Sequence, residues 1–454
     1  MRGVVGTWGL RHALVPVRMQ HRVAADPRGA TLPVDAVAGG LVDVSTTRSM
    51  VEHALEAGHG VLRLCPTWVP RAFCRPGRRL KLHPNDVFAL GLRRGGIDER
   101  WLASPVCADN GPGTPPTEGM SEIAIDEDGR RRVLLRDAIA EEPRTIIGDA
   151  LWQQHSGWPV YSKFFDNQGP LPFHIHPRDE DVAALGRRGK PEAYYFPPQL
   201  NNHGGDFPLT FFGLLPGTTR DDVRERLAAF AAGDNRITEL SAAHRLTPGT
   251  GWDVPPGVLH APGSVCTYEP QVASDVYSMW ESWVDGRPVD EDLLWKDCDP
   301  ARRGDLDALL DLLDWEINTD PDFKRRRFMT PQPVDPPEQT TAEGYVEQWI
   351  CWRSRHFSAK ELTLHPGAAV TVRDGAAYGV IAVQGGGTLQ QHPVHTPAMI
   401  RFRELTRDEF FVSAEAAREG VRIVNSGVEP LVLLKHFGPD NPVPDLDSTA
   451  GEHG

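Results

Sequence analysis

A set of four side chains that together could bind a metal ion lies between residues 163 and 260, and this set constrains the possible fold and function of this chain more than any other feature of the sequence. His174 and His176 are two residues apart, so on a β-strand both side chains point to the same face. A third histidine, His260, follows a Pro-Pro-Gly turn, and Glu192 lies just before a Tyr-Tyr-Phe run that is typical of a strand. Three imidazoles and one carboxylate predict a divalent metal site, although a His-x-His pair alone usually consists of two half-exposed strand residues.

The composition indicates a large, turn-rich chain of two or three domains. Its 454 residues exceed the size of one small domain, and 44 glycines with 40 prolines favour short strands over long helices. The formal net charge of −14 argues against nucleic-acid binding. The sequence has no run of eighteen apolar residues, so we expect no membrane span.

The six cysteines indicate a reducing compartment. They are scattered and form no Cys-x-x-Cys pair, as expected of free thiols rather than of a disulfide framework. Residues 1–45 lack the apolar region of a signal peptide, and we expect them to form a loosely ordered leader. Together these features predict a cytoplasmic protein.

The clearest helix signal in the chain follows Thr219. Thr219 is a good N-cap, Asp222 stands three residues later, and Val223 and Leu227 continue an apolar stripe that ends at Gly233. This pattern predicts a helix whose apolar face contacts the core.

Five basic residues surround a Pro-Gly turn early in the chain: Arg71, Arg75, Arg78, Arg79 and Lys81. A solvated loop is the simpler explanation of this basic cluster. A rim that binds anions is the functional alternative, and the sequence leaves both open.

The C-terminal part of the chain is predicted to be a second, structural β-domain. Residues 329–342 are rich in proline, glutamine and threonine and predict a linker. The block at about 343–438 alternates strand-like segments with glycine turns, which indicates a small antiparallel barrel or sandwich. It has no His-x-His pair, and His392 and His395, three residues apart, do not share a strand face.

Several motifs in the chain resemble those of the class I mannose-6-phosphate isomerases, which belong to the cupin superfamily. The motifs begin at Lys163 (Lys-Phe), His174 (His-Ile-His-Pro-Arg-Asp, where those isomerases carry Gln-x-His-Pro-x-Asp), Gly189 (Gly-Lys-Pro-Glu-Ala-Tyr-Tyr), Pro248 (Pro-Gly-Thr-Gly-Trp-Asp-Val-Pro-Pro-Gly-Val-Leu-His-Ala) and Glu269 (Glu-x-Gln-x-x-Ser-Asp). The resemblance covers about residues 70–440. It implies a mainly β fold of two cupin barrels (double-stranded β-helices of the jelly-roll type) with helical insertions.

The resemblance also implies an order of domains along the chain. The predicted domains are a flexible leader (1–45), an N-terminal extension that packs on the first barrel (46–155), a metal-binding catalytic cupin with helical insertions (156–328), a linker (329–342), a second, metal-free cupin (343–440) and a tail (441–454).

By position, the resemblance implies which side chains act. Those isomerases are zinc-dependent and use Gln, His, Glu and His as ligands, so the implied metal ligands here are His174, His176, Glu192 and His260. The implied catalytic residues are Lys190, Glu269 and Lys163. One divalent metal ion is the implied cofactor, zinc first, with iron, manganese or nickel as alternatives.

Two features depart from the pattern of those isomerases. His174 stands where they have glutamine, and the resulting set of three histidines and one glutamate is common among other cupins, including iron, manganese and nickel enzymes. The arginine that they carry shortly after the Ser-Asp pair is absent after Asp275. Arg187, Arg188 or the basic cluster are the candidates to replace it.

Two glutamates are candidates for the carboxylate ligand. Glu180 lies four residues after His176, which fits the general cupin pattern, whereas Glu192 has the closer match to the isomerases through Lys-Pro-Glu. We prefer Glu192, and Glu180 is then a loop carboxylate.

The resemblance implies an aldose–ketose isomerase that acts on a sugar or sugar phosphate through a metal-stabilised enediolate. An iron or manganese cupin dioxygenase or oxidoreductase is an alternative function, supported by His174 and by the missing arginine. A non-catalytic, carbohydrate-binding cupin is a second alternative, supported by the metal-free second barrel. We expect a small-molecule carbohydrate partner, no nucleic acid and no membrane, and we leave a homodimer open.

Overall fold

Strands dominate the part of the chain that this computed structural model describes, residues 44–444 and Leu446. Most of the predicted leader at 1–45 and of the predicted tail at 441–454 falls outside the described residues. In chain order, the strands are β1 Val61–Cys65, β2 Thr67–Arg71, β3 Gly96–Leu102, β4 Glu122–Ala124, β5 Arg132–Leu134, β6 Val160–Phe165, β7 His174–Ile175, β8 Glu192–Tyr195, β9 Leu209–Phe212, β10 Ala242–Arg245, β11 Gly251–Val254, β12 His260–Ala261, β13 Thr267–Val272, β14 Ser278–Met279, β15 Trp283–Val284, β16 Arg287–Pro288, β17 Phe328–Met329, β18 Gln332–Pro333, β19 Tyr345–Cys351, β20 Ser358–Leu364, β21 Ala369–Val372, β22 Tyr378–Gln384, β23 Gly386–Leu389, β24 His392–His395, β25 Glu409–Val412, β26 Val421–Asn425 and β27 Leu431–Phe437.

The helices are short and lie between the strands. They are α1 Val44–Ala57, α2 Leu135–Glu141, α3 Pro143–Ile146, α4 Asp149–His155, α5 Asp179–Val182, α6 Arg220–Ala228, α7 Glu291–Leu294, α8 Leu306–Leu310, α9 Trp315–Asn318, α10 Phe323–Arg327, α11 Pro337–Ala342 and α12 Ala414–Glu419. The helix predicted after Thr219 is α6, and the Thr219 hydroxyl accepts a hydrogen bond from the Asp222 backbone N–H, as its N-cap position requires. No helix within the described ranges is both long and apolar enough to cross a lipid bilayer.

Two pairs of antiparallel sheets form the framework. The first pair has a seven-stranded sheet, β17-β11-β8-β13-β6-β3-β2, and a five-stranded sheet, β10-β9-β12-β7-β14. The second pair has a nine-stranded sheet, β18-β19-β20-β27-β22-β25-β1-β4-β5, and a four-stranded sheet, β21-β26-β23-β24. The mainly β prediction is confirmed, whereas two closed barrels are not, because none of these strand orders returns to its first strand.

Neighbouring residues of β6 point into different cores, as the alternation of side chains along a strand demands. Phe165 packs with Trp252 of the same sheet and with Phe212 of the five-stranded sheet. Phe164 points to the other side, where the seven-stranded sheet shares a core with Phe411 and other residues of the nine-stranded sheet. Each such side chain stabilises the fold by about 1.5–3 kcal/mol through burial.

A third core lies between the nine-stranded and four-stranded sheets, where Val380 and Leu433 pack with Ile423. The three cores therefore join four layers in the order four-, nine-, seven- and five-stranded sheet. This order leaves the seven-stranded sheet covered on both faces, so polar side chains that point from it toward the five-stranded sheet are buried.

The stretch at 329–342, which the sequence predicts to be a linker, contains ordered elements. Gln332 of β18 pairs with Trp349 of β19 at the edge of the nine-stranded sheet, and α11 follows directly. The domain boundaries proposed from the sequence stay predictions.

Candidate metal centre

The three histidines meet because two short strands of the five-stranded sheet pair there. His260 of β12 lies directly opposite His174 of β7 in the antiparallel register. His176 follows two residues after His174, and its side chain returns to the same face. Glu192 begins β8 in the facing seven-stranded sheet. The centre thus lies between the two sheets of the first pair.

The geometry of the three imidazoles is that of a ligand set. One ligand atom from each of His174, His176 and His260 can be chosen so that all three lie within 4.8 Å of one another, and all three side chains are buried. The ring centroids of His174 and His260 are 4.1 Å apart, and that of His176 lies 5.0 Å from that of His260. Side chains held this close can share one cation.

Backbone carbonyls fix the orientation of each ring. Nδ1 of His174 lies 2.7 Å from the Pro172 oxygen, and Nδ1 of His176 lies 2.7 Å from the Val276 oxygen. Nδ1 of His260 lies 2.9 Å from the Val258 oxygen, just before β12. Since a carbonyl only accepts, each Nδ1 carries the proton and donates it. Nε2 is then the nitrogen left for the centre.

Burial disfavours the charged form of His174 and of His176. It lowers the pKa of His174 far below the usual range, with His260 and His176 adding to the effect. Burial also lowers the pKa of His176 to about 3, against the attraction of Glu192. A neutral ring protonated on Nδ1 presents a lone pair on Nε2, which is the form that binds a metal ion.

Glu192 faces two of the three imidazoles from the opposite sheet. Its Oε2 lies 3.0 Å from Nε2 of His176 and its Oε1 lies 3.1 Å from Nε2 of His260, while the side chain is 1% exposed. Neither oxygen receives a well-directed hydrogen bond, and Nε2 of His260 has no hydrogen-bond partner either. Burial opposes the ionisation of Glu192, whereas the positive charge of Lys190 lowers its pKa. Acceptor atoms therefore face each other with no proton between them.

Lys190 and Lys163 connect Glu192 to a second buried carboxylate. Nζ of Lys190 lies 2.7 Å from Glu192, 3.1 Å from Nε2 of His176 and 3.2 Å from Oε1 of Glu269. Glu269 of β13 stands directly opposite Lys163 of β6 in the register, and Nζ of Lys163 lies 3.3 Å from the same Oε1. Burial and the charge of Glu192 raise the pKa of Glu269 to about 8.

The ionic chain continues to residues that the sequence analysis missed. Lys163 also lies 3.3 Å from Glu99, and Glu99 lies 3.1 Å from the guanidinium of Arg71. Arg71 binds Asp275 through two hydrogen bonds of 2.9 and 3.2 Å. Burial favours the neutral form of Arg71, but the charges of Asp275 and Glu99 outweigh this effect and raise its pKa. We define the ionic chain as Glu192, Lys190, Glu269, Lys163, Glu99, Arg71 and Asp275.

Arg71, one of the candidates to replace the missing arginine, lies beside Asp275. It belongs to the basic cluster named in the sequence, and it reaches Asp275 across 204 residues. Arg187 lies outside the ionic chain and pairs with Asp109 at 2.7 Å. Arg188 contributes its backbone carbonyl, which accepts from Ser274. Nothing in the spacing of the sequence indicates that Arg71 would be the residue at this place.

The remaining candidates lie elsewhere. Glu180 is on α5, where its side chain is 68% exposed and lies 3.3 Å from Arg178. Nε2 of His392 faces the Val61 carbonyl oxygen at 2.9 Å, and His395 ends β24 in the four-stranded sheet. None of these side chains reaches the histidine centre.

A cavity of about 850 Å³ opens beside the far end of the ionic chain. Asp109 and Asn110 belong to its wall, and they bind Asp275 and Arg71 at 2.8 and 2.9 Å respectively. Tyr277, another wall residue, has its ring centroid 5.9 Å from the Arg71 guanidinium. This cavity is large enough for a sugar-sized molecule.

No family model matches the sequence, and no curated protein does so either. Solved structures, in contrast, match the fold over most of the chain. The mannose 6-phosphate isomerase from Bacillus subtilis covers 83% of this chain and 99% of its own, at 15% identity and a TM-score of 0.55. A variant of the phosphomannose isomerase from Salmonella typhimurium covers 84% and 100%, at 13% identity and a TM-score of 0.53. A mannose 6-phosphate isomerase bound with zinc and yttrium covers 84% and 99%, at 12% identity and a TM-score of 0.53.

The fold is that of the mannose-6-phosphate isomerases. This confirms, at the level of the fold, the resemblance found in the sequence motifs. At identities of 12–15% the matches establish the fold alone, and the reaction depends on the side chains of this chain's own centre.

Proposed function

We propose that the chain is a metal-dependent aldose–ketose isomerase that acts on a sugar or sugar phosphate. The observation that carries the proposal is the close approach of the His174, His176 and His260 imidazoles, with Glu192 facing the last two, next to a second carboxylate held between two lysines. A metal site beside a positioned base is the arrangement that proton transfer next to a carbonyl requires.

The donor set fits a divalent cation. The Nε2 atoms that face Glu192 bring lone pairs rather than protons. A cation bound between them would remove this contact between acceptors. Nitrogen and oxygen donors suit zinc, and iron, manganese and nickel are the alternatives because the set has three imidazoles.

Glu269 is the proposed base. Its pKa of about 8 is close to neutral pH, which favours both removal and return of a proton. Lys163 and Lys190 approach the same oxygen, Oε1, and hold the carboxylate in one orientation. Lys190 also brings positive charge toward the oxygens that become negative in the reaction. Polarisation of the substrate carbonyl is the chemistry that a divalent cation supplies at these four ligands.

The cavity beside Arg71 is the proposed entry for the substrate. Its wall combines the aromatic rings of Phe73 and Tyr277 with the cationic side chains of Arg287 and Lys296. Aromatic rings suit the apolar faces of a sugar, and the cations suit a phosphate group. These features favour a carbohydrate partner, and the homodimer stays a prediction. The cytoplasmic location also stays a prediction, which the six free thiols support.

A cupin dioxygenase or oxidoreductase is the second candidate, because His174 supplies the third imidazole that iron and manganese sites often use. Elemental analysis of the purified protein, followed by assays on aldoses and ketoses with and without phosphate, separates the two. Isomerisation without oxygen uptake, lost together with the metal in His176→Ala and His260→Ala, supports the isomerase. Bound iron with oxygen consumption supports the dioxygenase. Full metal occupancy in both alanine variants would refute the ligand set.

A further inference from the structure

Only some residues of the basic cluster around residue 75 form ion pairs within the fold. Arg71 is bound to Asp275, Arg75 lies 2.7 Å from Asp285, and Arg79 lies 2.6 Å from Asp166. Arg78 and Lys81 remain, and within the described residues neither forms a hydrogen bond or ion pair through its side chain. Both have positive φ angles, 70° and 64°, which side chains other than glycine rarely adopt. Backbone held in this way often marks a ligand site.

Lys81 is unusual among the lysines of this chain. Only seven of the 48 basic residues are lysines. Five of them form ion pairs with carboxylates, namely Lys163, Lys190, Lys296, Lys360 and Lys435. Lys324 is exposed to solvent on α10. Lys81 is the half-buried lysine that lacks an ion pair within the described chain.

The acids near Lys81 are bound by other side chains. Both oxygens of Asp408 accept from Arg100, each at 2.8 Å. Glu429 accepts from Gln384 at 3.2 Å. Burial lowers the pKa of Lys81 in spite of the opposing charge of Asp408. The ammonium group therefore lies partly out of water without an ion pair in the described part of the chain, which an anionic ligand would supply.

The backbone holds Lys81 in place rather than leaving it on a free loop. Its carbonyl accepts from the Ile400 N–H at 2.8 Å, and the Ile400 carbonyl accepts from the His83 N–H at 2.8 Å. Leu82 and Ile400 form the parallel bridge between these bonds. The loop that carries Lys81 is thereby fixed against the loop that follows β24.

A cavity of about 660 Å³ lies between Lys81 and the end of the second pair of sheets. Its other walls are the start of β23, with three glycines in a row (385–387), and the turn at 426–429. His395 also lines it, and the one carboxylate of the wall, Glu429, accepts from Gln384. The cavity thus offers an ammonium group and an imidazole, which can together donate to oxygens of one group.

We propose that Lys81 and this cavity bind a small molecule that carries a phosphoryl group, at a site separate from the metal centre. A phosphoryl group has enough oxygens for Lys81 and His395 at once. This site is independent of the proposed isomerase reaction, since none of its residues belongs to the ionic chain or the histidine centre.

Pyridoxal 5′-phosphate is a suitable probe because it combines a phosphoryl group with an aldehyde. The lysine nitrogen adds to the aldehyde carbon with loss of water, and borohydride then delivers hydride to the resulting C=N bond, which fixes the label as a secondary amine. We expect peptide mapping of the full-length protein to find at least tenfold more label on Lys81 than on Lys324. Inorganic phosphate should protect Lys81, whereas chloride at equal ionic strength should not. Equal labelling of the two lysines, or no protection by phosphate, would overturn the proposal.

Titration calorimetry with inorganic phosphate at constant ionic strength gives a second test that needs no label. Lys81→Gln should weaken phosphate binding at least tenfold, and Lys81→Arg, which keeps the charge, should stay within about threefold of the wild type. Lys324→Gln is the matched control and should bind as the wild type does. His176→Ala should keep the Lys81-dependent binding even if the metal is lost. Unchanged affinity in Lys81→Gln would refute the site.

Discussion

Lys190 lies 2.7 Å from Oε2 of Glu192, the same oxygen that faces Nε2 of His176 at 3.0 Å. One carboxylate oxygen therefore has a lysine on one side and a proposed metal ligand on the other. Because both Lys190 and a bound metal ion are positive, the lysine weakens the attraction of Glu192 for the metal. The position of Lys190 is explained by its contact with Glu269, the next carboxylate of the ionic chain.

Replacing Lys190 with methionine should separate metal binding from the reaction. Lys190→Met removes a cation beside Glu192, so we expect the metal to bind at least as tightly as in the wild type. Isomerase turnover should fall by about 100-fold or more, because the charge facing the developing oxyanion is lost. Chelator competition measures the first effect and steady-state kinetics the second. Loss of metal with unchanged turnover would contradict this role.

Glu192 and Glu180 can be distinguished by one conservative change in each. Glu192→Gln should weaken metal binding at least tenfold, because a buried carboxylate that faces two imidazoles becomes a neutral amide. Glu180→Gln should leave the affinity unchanged, since the Glu180 side chain is 68% exposed on α5. Metal content after dialysis against a weak chelator gives the comparison. The reverse order would transfer the ligand role to Glu180.

Local spacing in the sequence predicted those features of the structure that a single short segment determines. The i, i+2 spacing of His174 and His176 fixes a common face as soon as the segment is extended, and the Thr219 cap predicts α6 from four residues. The rest of the centre depends on contacts that no spacing reveals. Glu99 and Arg71 join it only because β2, β3, β6 and β13 are neighbours in the seven-stranded sheet.

The dependence on contacts between distant segments also explains why the predicted closed barrels differ from the observed open sheets. Alternating strands and glycine turns predict β structure, but whether a sheet closes depends on pairing between distant strands. The basic cluster illustrates this further. Its members are neighbours in sequence, yet Arg71 and Arg79 turn into different buried ion pairs while Lys81 faces a cavity. Which of them would stay unpaired depends on acids elsewhere in the chain.

Removal of the proposed base should abolish turnover without removing the metal. Glu269→Gln keeps the size and contacts of the side chain but cannot accept a proton, so we expect kcat to fall by about 100- to 10,000-fold. Glu269 is not among the proposed ligands, so metal content should stay near that of the wild type. Parallel measurement of kcat and bound metal tests both statements. Retained turnover would rule out Glu269 as the base.

Glu281 should link stability to pH. Burial raises its pKa from 4.5 to about 7, although the Phe173 N–H, which donates to it at 2.9 Å, acts in the opposite direction. The folded protein then binds this proton more tightly than the unfolded chain does. The contribution of Glu281 to stability is therefore fully present below its unfolded pKa and is lost as the pH rises through about 7.

The glutamine variant tests this linkage. Glu281→Gln should change the free energy of unfolding little at pH 5 and should stabilise the protein by about 1–3 kcal/mol relative to the wild type at pH 8. Urea denaturation at the two pH values measures the difference. Glu316→Gln, at an exposed position on α9, is the control and should show no pH-dependent effect. An equal change at both pH values for Glu281→Gln would contradict the raised pKa.

The second pair of sheets holds a buried ionic cluster of its own. Asp374 lies 2.6 Å from Nζ of Lys360 and 2.7 Å from Nζ of Lys435, and Glu347 contacts both lysines. All four side chains are at most 6% exposed. No imidazole takes part in these contacts, so the cluster is expected to stabilise the fold rather than to bind a metal.

Neutralising Asp374 should therefore destabilise the protein strongly. Asp374→Asn keeps the volume but leaves two buried ammonium groups with only Glu347 to balance them, and breaking such a buried pair costs about 3–5 kcal/mol. Denaturant unfolding measures this loss. Asp322→Asn, which removes an exposed partner of Arg325, is the control and should leave the unfolding midpoint unchanged. Metal content at the histidine centre should stay the same in both variants, because the cluster lies in the other pair of sheets. An Asp374→Asn protein as stable as the wild type would show that the two lysines lose their charge or reach water.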